Sequence, residues 1–505
     1  MIKRKGLDNV RDFIKLHDHD TVVIALRNLD AGLVLTVDNQ DIKLNEAVNQ
    51  GHKIAIVDMV CGQNIVKYGF PIGHATADIK TGDHVHTHNT KTNLGEQLDY
   101  QYAPELEEKI ATASAREVQA YHRKNGEVGI RNELWIIPTV GCINKMAQRV
   151  KDTFLEEVGA LSENVDGVFV FEHAYGCSQM GDDHRATKEI LQNIVKHPNA
   201  GGVLVIGLGC ENNQVDEFKE SLGEYDKNRI RFMIAQDHAD EIEAGKALAK
   251  EVYGIMKKDV RQPSPLKNLR IGLECGGSDG FSGITGNPLL GYFSDYLIGQ
   301  GGTTVLTEVP EMFGAETILM NRCENEEVFQ KTVRLINDFK QYYEDNDQVC
   351  YENPSPGNKD GGITTLEDKS LGCTQKAGTS NVVDVLFYTD RLKKNGLNLM
   401  QGPGNDLVAT TALGAAGCHL VLFTTGRGTP YGGFIPTVKV STNTALAKRK
   451  PHWIDYDAGK MLRQSTEAVV EDFIDYVIKV CNGQWAHNET NNYREIAIWK
   501  FGVTL

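Results

Sequence analysis

The sequence predicts a multidomain α/β protein: a small β-rich amino-terminal unit, then an α/β body built on parallel sheets. Three observations predict it. Up to about residue 95 the chain is a series of short β-branched runs, TVVIAL, GLVLTV, HKIAIVD and NIVKYGFPIG, separated by Asp, Asn and Gly turns. From Tyr121 onward, apolar runs bounded by turn signals alternate with helical stretches, which is the pattern of βαβ units. The length, 505 residues, suits about three domains at roughly 150 residues each.

Taken in order, residues 1–95 form the β-rich unit. Residues 96–120 are polar and acidic without a clear apolar stripe, and read as a linker with some helical character. Residues 121–265 form a first α/β domain with LWIIPT, DGVFVF, GGVLVIGLG and RIRFMIA as strands. After GCSQMGDDH, Ile190, Leu191, Ile194 and Val195 fall on one helical face, and Asp182 and Asp183 are placed to cap that helix. Residues 266–505 resume the alternation with LRIGLE, TTVLTEV, VVDVLFY, GLNLMQ, CHLVLFTT and PTVKVST, and with PLLGYFSDYLIG as a helix among them.

Composition narrows the partners. Lys plus Arg number 53 against 68 Asp plus Glu, a net charge of −15, which argues against nucleic acid or an anionic membrane as partner. Hydrophobic content of 41% with 24% charged excludes wholesale disorder. No apolar run is long enough to span a bilayer, and MIKRKGLDNVRDF has no apolar stretch behind its basic residues, so a cytoplasmic protein is expected. Ten cysteines are too sparse for a disulfide scaffold. GLGCEN lacks a full G-x-G-x-x-G and no GKS or GKT phosphate loop occurs, so NAD and ATP are not expected.

In open α/β sheets ligands bind beyond the carboxyl ends of the strands. Cys142, Cys177, Cys210 and Cys275 follow four separate strands there. Such thiols either fill gaps at strand ends or act as soft ligands for iron, single or clustered. Harder groups follow the other strands. They are Ser278 and Asp279, then Glu308 and Glu311, then Asn405 and Asp406 in GPGND, and Arg427 between two glycines. Asn358, Lys359 and Asp360 lie in ENPSPGNKDGG, a stretch too rich in Gly and Pro for helix or strand. Single strand-end carboxylates serve equally well as helix caps. Together with a Lys and an Arg, oxygen ligands suit an anionic, polyhydroxylated substrate on a divalent cation. In DHVHTHN, His84, His86 and His88 alternate, which in a strand puts three imidazoles on one face, a credible second metal site or a solvated edge; KLHDHD adds His17 and His19.

With these residues in hand, the chain resembles the altronate/galactarate dehydratase family. The resemblance runs through KYGFPIGHATADI with HVHTHNT, NGEVGIRNELWIIPTVGC, HAYGCSQMGDDH, VLVIGLGCENNQ, LECGGSDGFSGITGNP, TEVPEMFGAE, ENPSPGNKDGGITTLEDKSLGCTQKAG, FTTGRGTPYGGFIPTVK and FGVTL, in order over nearly the whole chain. HVHTHN, CSQMGDDH and LGCTQKAG are closer to its altronate branch. The resemblance implies an amino-terminal β-clip (SAF-type) domain, a middle domain used for dimerisation into a homodimer, and a carboxyl-terminal Rossmann variant that holds a metal. It also implies Fe2+-dependent dehydration (Mn2+ or another divalent cation being the alternative) of D-altronate in galacturonate catabolism. On that reaction Arg427 is expected to take the substrate carboxylate, with Asn405 and Ser278 as further substrate contacts. Lys359 is expected as base or enolate stabiliser, with His173 as the alternative proton-transfer group. Asp279, Glu308 and Asp406 are the expected metal ligands, Cys142, Cys177 and Cys210 the alternative. Rival expectations are galactarate or a related acid sugar as substrate, an iron–sulfur hydro-lyase, and a non-enzymatic sensing module.

Overall fold

A computed structural model describes residues 11–95, 100–107 and 115–502. The amino-terminal domain is all β. Phe13–Ile14, Val22–Ala25, Lys53–Ala55 and His84–Val85 form an antiparallel sheet. The hairpin Val34–Val37 to Gln40–Lys43 turns through Asp38 and Asn39, both with positive φ, as a tight right-twisted turn requires. Asn64–Lys67, Phe70–Ala75 and Thr90–Lys91 form a third antiparallel sheet. Residues 100–107 hold no helix and lie on the carboxyl-terminal body, where the Tyr100 hydroxyl donates to Glu316 (2.6 Å) and the Tyr102 hydroxyl to the Cys323 carbonyl (2.9 Å). Of the rest of the expected linker, 96–99 and 108–114 lie outside the described residues, and its end belongs to the strand Glu117–His122 rather than to a helix.

The middle sheet is parallel, in the order Gly167–Val170, Glu133–Pro138, Ala200–Gly207, Ile230–Ile234. Its strands are apolar on both faces because helices cover both. Leu134, Ile136, Leu204 and Ile206 face Val150, Phe154, Val252 and Met256 on one side. Trp135, Ile137, Val203 and Val205 join Ile190, Leu191, Ile194 and Phe218 on the other, in a core continuous with the carboxyl-terminal domain. The helix after Cys177 spans Gly181–Val195, but no side chain caps it. Asp183 instead accepts the Phe501 and Gly502 amides (3.0 and 2.8 Å), pinning the end of the described chain.

The carboxyl-terminal sheet has seven parallel strands in the order Val382–Leu386, Gly396–Met400, Thr303–Leu306, Arg270–Cys275, Leu420–Thr425, Thr437–Ser441, Tyr456–Asp457. Chain order reverses at Arg270–Cys275, so the loops after its neighbours part there and leave a crevice. Buried ion pairs lock the two body domains together: Arg131 with Glu489 (2.7 Å) and Arg494 with Glu133 (2.9 Å). A third set docks the amino-terminal domain. Lys53 and Lys67 both reach Asp368, at 2.8 and 2.9 Å, and all three side chains are buried. Lys53 also donates to the Gly362 carbonyl (2.6 Å). Among the described residues, no helix is long and apolar enough to cross a membrane.

Candidate active site

Everything at the crevice begins with Arg270–Cys275. Its last two residues point opposite ways, as strand neighbours must, and supply Glu274 on one face and Cys275 on the other. Two residues after the next strand, Thr303–Leu306, comes Glu308, fully buried and in the left-handed region at φ 65°, a strained backbone for a residue with a Cβ. Asp406 opens the helix Asp406–Ala416. One oxygen from each of Glu274, Glu308 and Asp406 lies within 4.8 Å of the other two. Asp406 comes this close because residue 276 is glycine: a Cβ there would stand 2.3 Å from Asp406 Oδ2.

These carboxylates are only partly compensated. Glu274 Oε1 and Glu308 Oε1 are buried with no hydrogen-bond donor, an arrangement that costs free energy unless a cation sits there. Burial pushes all three towards the neutral form. Glu308 rises to about 8, reinforced by Glu311, and Asp406 to about 6, likewise helped by Glu311. Glu274 is raised well above its ordinary value, with Glu308 and Asp406 adding to burial. Three clustered carboxylates, two of them with an orphaned oxygen, fit a hard or borderline divalent cation.

A second group lies against the first. Cys275 Sγ, Cys373 Sγ and Glu311 Oε2 meet at 3.1 to 3.4 Å. Lys376 Nζ bridges the two groups, donating to Cys275 Sγ (2.8 Å) and Glu308 Oε2 (3.0 Å). Lys369 pairs with Glu311 at 2.5 Å. Burial alone would raise Glu311, but Lys369 and Lys376 hold it below the usual carboxylate range. The two lysines thus place fixed positive charge at the crevice.

The sequence-derived candidates divide. Glu308 and Asp406 meet as expected, but the third carboxylate beside them is Glu274, not Asp279. Asp279 is occupied by the Phe281 amide (3.0 Å), Thr442 Oγ1 (2.9 Å) and Asn443 Nδ2 (3.1 Å). Because Asn443 also donates to the Gly426 carbonyl (3.0 Å), Asp279 steadies the loop that carries Arg427. Arg427 is exposed at the crevice mouth and its amide donates to the Gly277 carbonyl (2.9 Å). Ser278 is buried, its Oγ without a partner and its carbonyl held by Asn358 Nδ2 (2.9 Å). Asn405 caps the helix of Asp406, its Oδ1 accepting the Leu407 and Val408 amides (3.1 and 3.2 Å). Lys359 is half-buried on a short helix, Pro356–Asp360. The glycine-rich stretch forms that helix because Ser355 and Asn358 make a capping box with Pro356 at the first turn.

His173 lies at the end of the middle sheet, with Nε2 on the Pro138 carbonyl (2.8 Å) and Nδ1 accepting the Tyr175 amide (3.2 Å). Both ring nitrogens are therefore engaged with backbone. Cys142, Cys177 and Cys210 are exposed on the loops of that same sheet, not of the sheet that carries the carboxylates. Of His84, His86 and His88, only the first sits in a strand; the other two follow in a turn, yet the rings still cluster. His84 lies 5.3 Å from His86 and 5.5 Å from His88 between centroids. His52, which the spacing did not reveal, joins them through Nδ1 to His84 Nε2 (2.9 Å). Burial first, then neighbouring imidazoles, push His84 down to about 3. Burial, Lys53 and His52 push His86 to about 4. His86 Nε2 meets the Lys359 carbonyl (2.9 Å), so the histidine group borders the helix that carries Lys359. Glu46, His84 and His88 form a further candidate cation group, open to solvent. Glu274, Cys373, Lys369 and Lys376 were missed; the only sequence signal for the last two was the block LEDKSLGCTQKAG.

Comparison with known proteins bears on this geometry. The D-galactarate/altronate dehydratase carboxyl-terminal model matches residues 266–504. The family's second-domain model matches 120–257 and its SAF-domain model 11–93. An altronate dehydratase of Escherichia coli (strain K12) is 58% identical over 98% of this chain and 100% of its own length. The chain belongs to the altronate/galactarate dehydratase family. Another family member, an altronate dehydratase of Bacillus subtilis (strain 168), is 56% identical over 98% of this chain and 100% of its own length. The L-threo-forming galactarate dehydratase of Escherichia coli (strain K12) is 32% identical, covering 94% and 95%. As a member of this family the chain is a hydro-lyase, with a SAF domain ahead of its α/β body.

Proposed function

We propose that the crevice dehydrates D-altronate to 2-dehydro-3-deoxy-D-gluconate and water, as a step of galacturonate breakdown in the cytoplasm. The observation that carries this reading is the trio Glu274, Glu308 and Asp406 with its two donorless oxygens, in a chain far closer to altronate dehydratases than to galactarate dehydratase. The trio would hold a divalent cation, for which Fe2+ is our choice and Mn2+ the alternative, since thiols stand beside the carboxylates. When bound, that cation supplies Lewis-acid withdrawal of charge from the substrate's carboxylate end, worth several kcal/mol.

The chain's own residues do the rest. Arg427, exposed at the mouth, receives the C1 carboxylate in a fork of N–H donors. Lys359 accepts the C2 proton or holds the enolate oxygen. Lys369 and Lys376 stay protonated beside their carboxylates and offset the negative charge that builds as the C2–H electrons move into the C2–C3 bond. The C3–O bond breaks, the departing hydroxide takes up a proton as water, and the enol tautomerises to the 2-keto acid. Positioned proton transfer contributes about 10²–10⁴ in rate. An anaerobic assay with added Fe2+, on altronate and galactarate side by side, tests the reading. The expected result is 2-keto acid from altronate well ahead of galactarate; none from altronate would overturn it.

A further inference from the structure

We propose that Cys142, Cys177 and Cys210 together hold a four-iron, four-sulfide cluster at the carboxyl edge of the middle sheet, a metal site separate from the carboxylates. The three cysteines follow Glu133–Pro138 and its two parallel neighbours, Gly167–Val170 and Ala200–Gly207. Chain order reverses about Glu133–Pro138, so this edge is the sheet's own ligand position. The three loops are sewn into one surface. The Gly141 amide donates to the Tyr175 carbonyl (2.8 Å) and the Asn213 amide to the Gly176 carbonyl (3.0 Å). The Ser178 amide donates to Asn212 Oδ1 (2.7 Å), and Asn213 Nδ2 to the Thr139 carbonyl (3.1 Å).

Within these loops the thiols have only long contacts, Ser178 Oγ donating to Cys177 Sγ (3.9 Å) and Gln236 Nε2 to Cys210 Sγ (3.8 Å). Glu211 is consumed by the Leu208 and Gly209 amides and by Thr139 Oγ1. Glu172 pairs with Lys145, Asp182 with Arg185, and Asp183 holds the Phe501 and Gly502 amides. His173 has both nitrogens on backbone. Free cysteines are usually buried, as Cys275, Cys323, Cys373, Cys418 and Cys481 are here, whereas Cys142, Cys177 and Cys210 are all exposed. Two buried amide oxygens of the same loops, Asn144 Oδ1 and Asn213 Oδ1, have no donor.

Spacing selects the occupant. The three thiols are not among the groups whose ligand atoms approach within 4.8 Å of one another, which is too open for the shell of one ion with metal–sulfur bonds of about 2.3 Å. A cluster's ligands stand wider apart than those of one ion, and Glu172, Asp182, Asp183 and Glu211 of these loops are already paired, which leaves soft donors to choose the metal. Three thiolates for four irons leave one iron without a protein ligand. That iron would not be far from the crevice. The helix Gly181–Val195, just after Cys177, packs beside Asp406–Ala416, and the two end together where His197 Nε2 meets the Cys418 carbonyl (2.9 Å). Their amino ends thus open on the same side.

The test uses the full chain, isolated without oxygen and reconstituted with ferrous iron and sulfide. We expect about four acid-labile sulfides per chain and a broad absorption band bleached by air, as thiolate-bound clusters give. Cys142→Ser, Cys177→Ser and Cys210→Ser should each remove both signals, while circular dichroism and melting before reconstitution stay as in the cluster-free parent chain. Cys61→Ser, at an exposed cysteine of the amino-terminal domain, and Glu308→Gln should keep both. Absence of labile sulfide in the reconstituted chain, retention of it in the triple serine variant, or a native disulfide between any two of the three would overturn the proposal. The readout does not depend on altronate turnover, so this proposal and the altronate reading fail separately.

Discussion

Both parallel sheets of the body reverse their strand order about their first strand, Glu133–Pro138 in one and Arg270–Cys275 in the other, and both gather loops there. What the loops present differs. The middle sheet shows solvent three thiols, with Glu172, Asp182 and Glu211 of their loops already paired. The carboxyl-terminal sheet gathers three carboxylates, two of them fully buried with a donorless oxygen, and sets two lysines beside them. Topology decides where a ligand can sit; burial and donor softness decide which ligand that is. The deep site is electrostatically expensive without a cation, because each buried charge must be compensated locally.

The sharpest way to break this contrast is to remove one carboxylate. Glu308→Gln or Glu274→Gln should lower kcat by about 10³ or more, since several kcal/mol of charge withdrawal goes with the cation; steady-state 2-keto acid formation checks it. Asp368→Asn comes next. It leaves Lys53 and Lys67 buried without their anion, and should cost about 3–5 kcal/mol in denaturant unfolding. The two lysines hold the Asp368 carboxyl far below the carboxylate range, against the pull of burial. Its contribution is therefore complete above an unfolded pKa of about 3.9 and is lost as pH falls through the lower folded value, so the variant should flatten the acid limb of the stability curve. Saturating Fe2+ should stabilise the parent chain by about 2.7 kcal/mol at a hundredfold excess over Kd, and should do so by much less in Glu274→Gln. The smallest effect is expected at the rim: Arg427→Ala should raise KM about tenfold, ~1.4 kcal/mol, with kcat little changed.

Much of the fold was legible because apolar runs report strands directly. LRIGLE, CHLVLFTT and GGVLVIGLG all became strands of parallel sheets. Glu308 and Asp406 were legible for the same reason, since strand ends and helix starts mark the crevice. Glu274 was not, because it is the next-to-last residue of an apolar strand and reads there as an interruption. Asp279 misled in the other direction: its position after the strand was right, but Thr442 and Asn443, some 160 residues on, claim its oxygens. Lys369 and Lys376 lie on segments whose helical periodicity is faint, and only tertiary packing turns them inward. His52 shows the limit of spacing arguments, since an adjacent antiparallel strand rather than an i+2 neighbour brings it to His84.

The docking of Lys53 and Lys67 onto Asp368 bears on how substrate gets in and out. Gly51 lies so close to Gly280 and Gly362 that a Cβ on either would stand 2.2 and 2.4 Å from its carbonyl oxygen, and a hinged cover built on such a seam would have to strip a buried charge triad at every turnover. The amino-terminal domain is therefore fixed against the body, and substrate exchange proceeds without its lifting away.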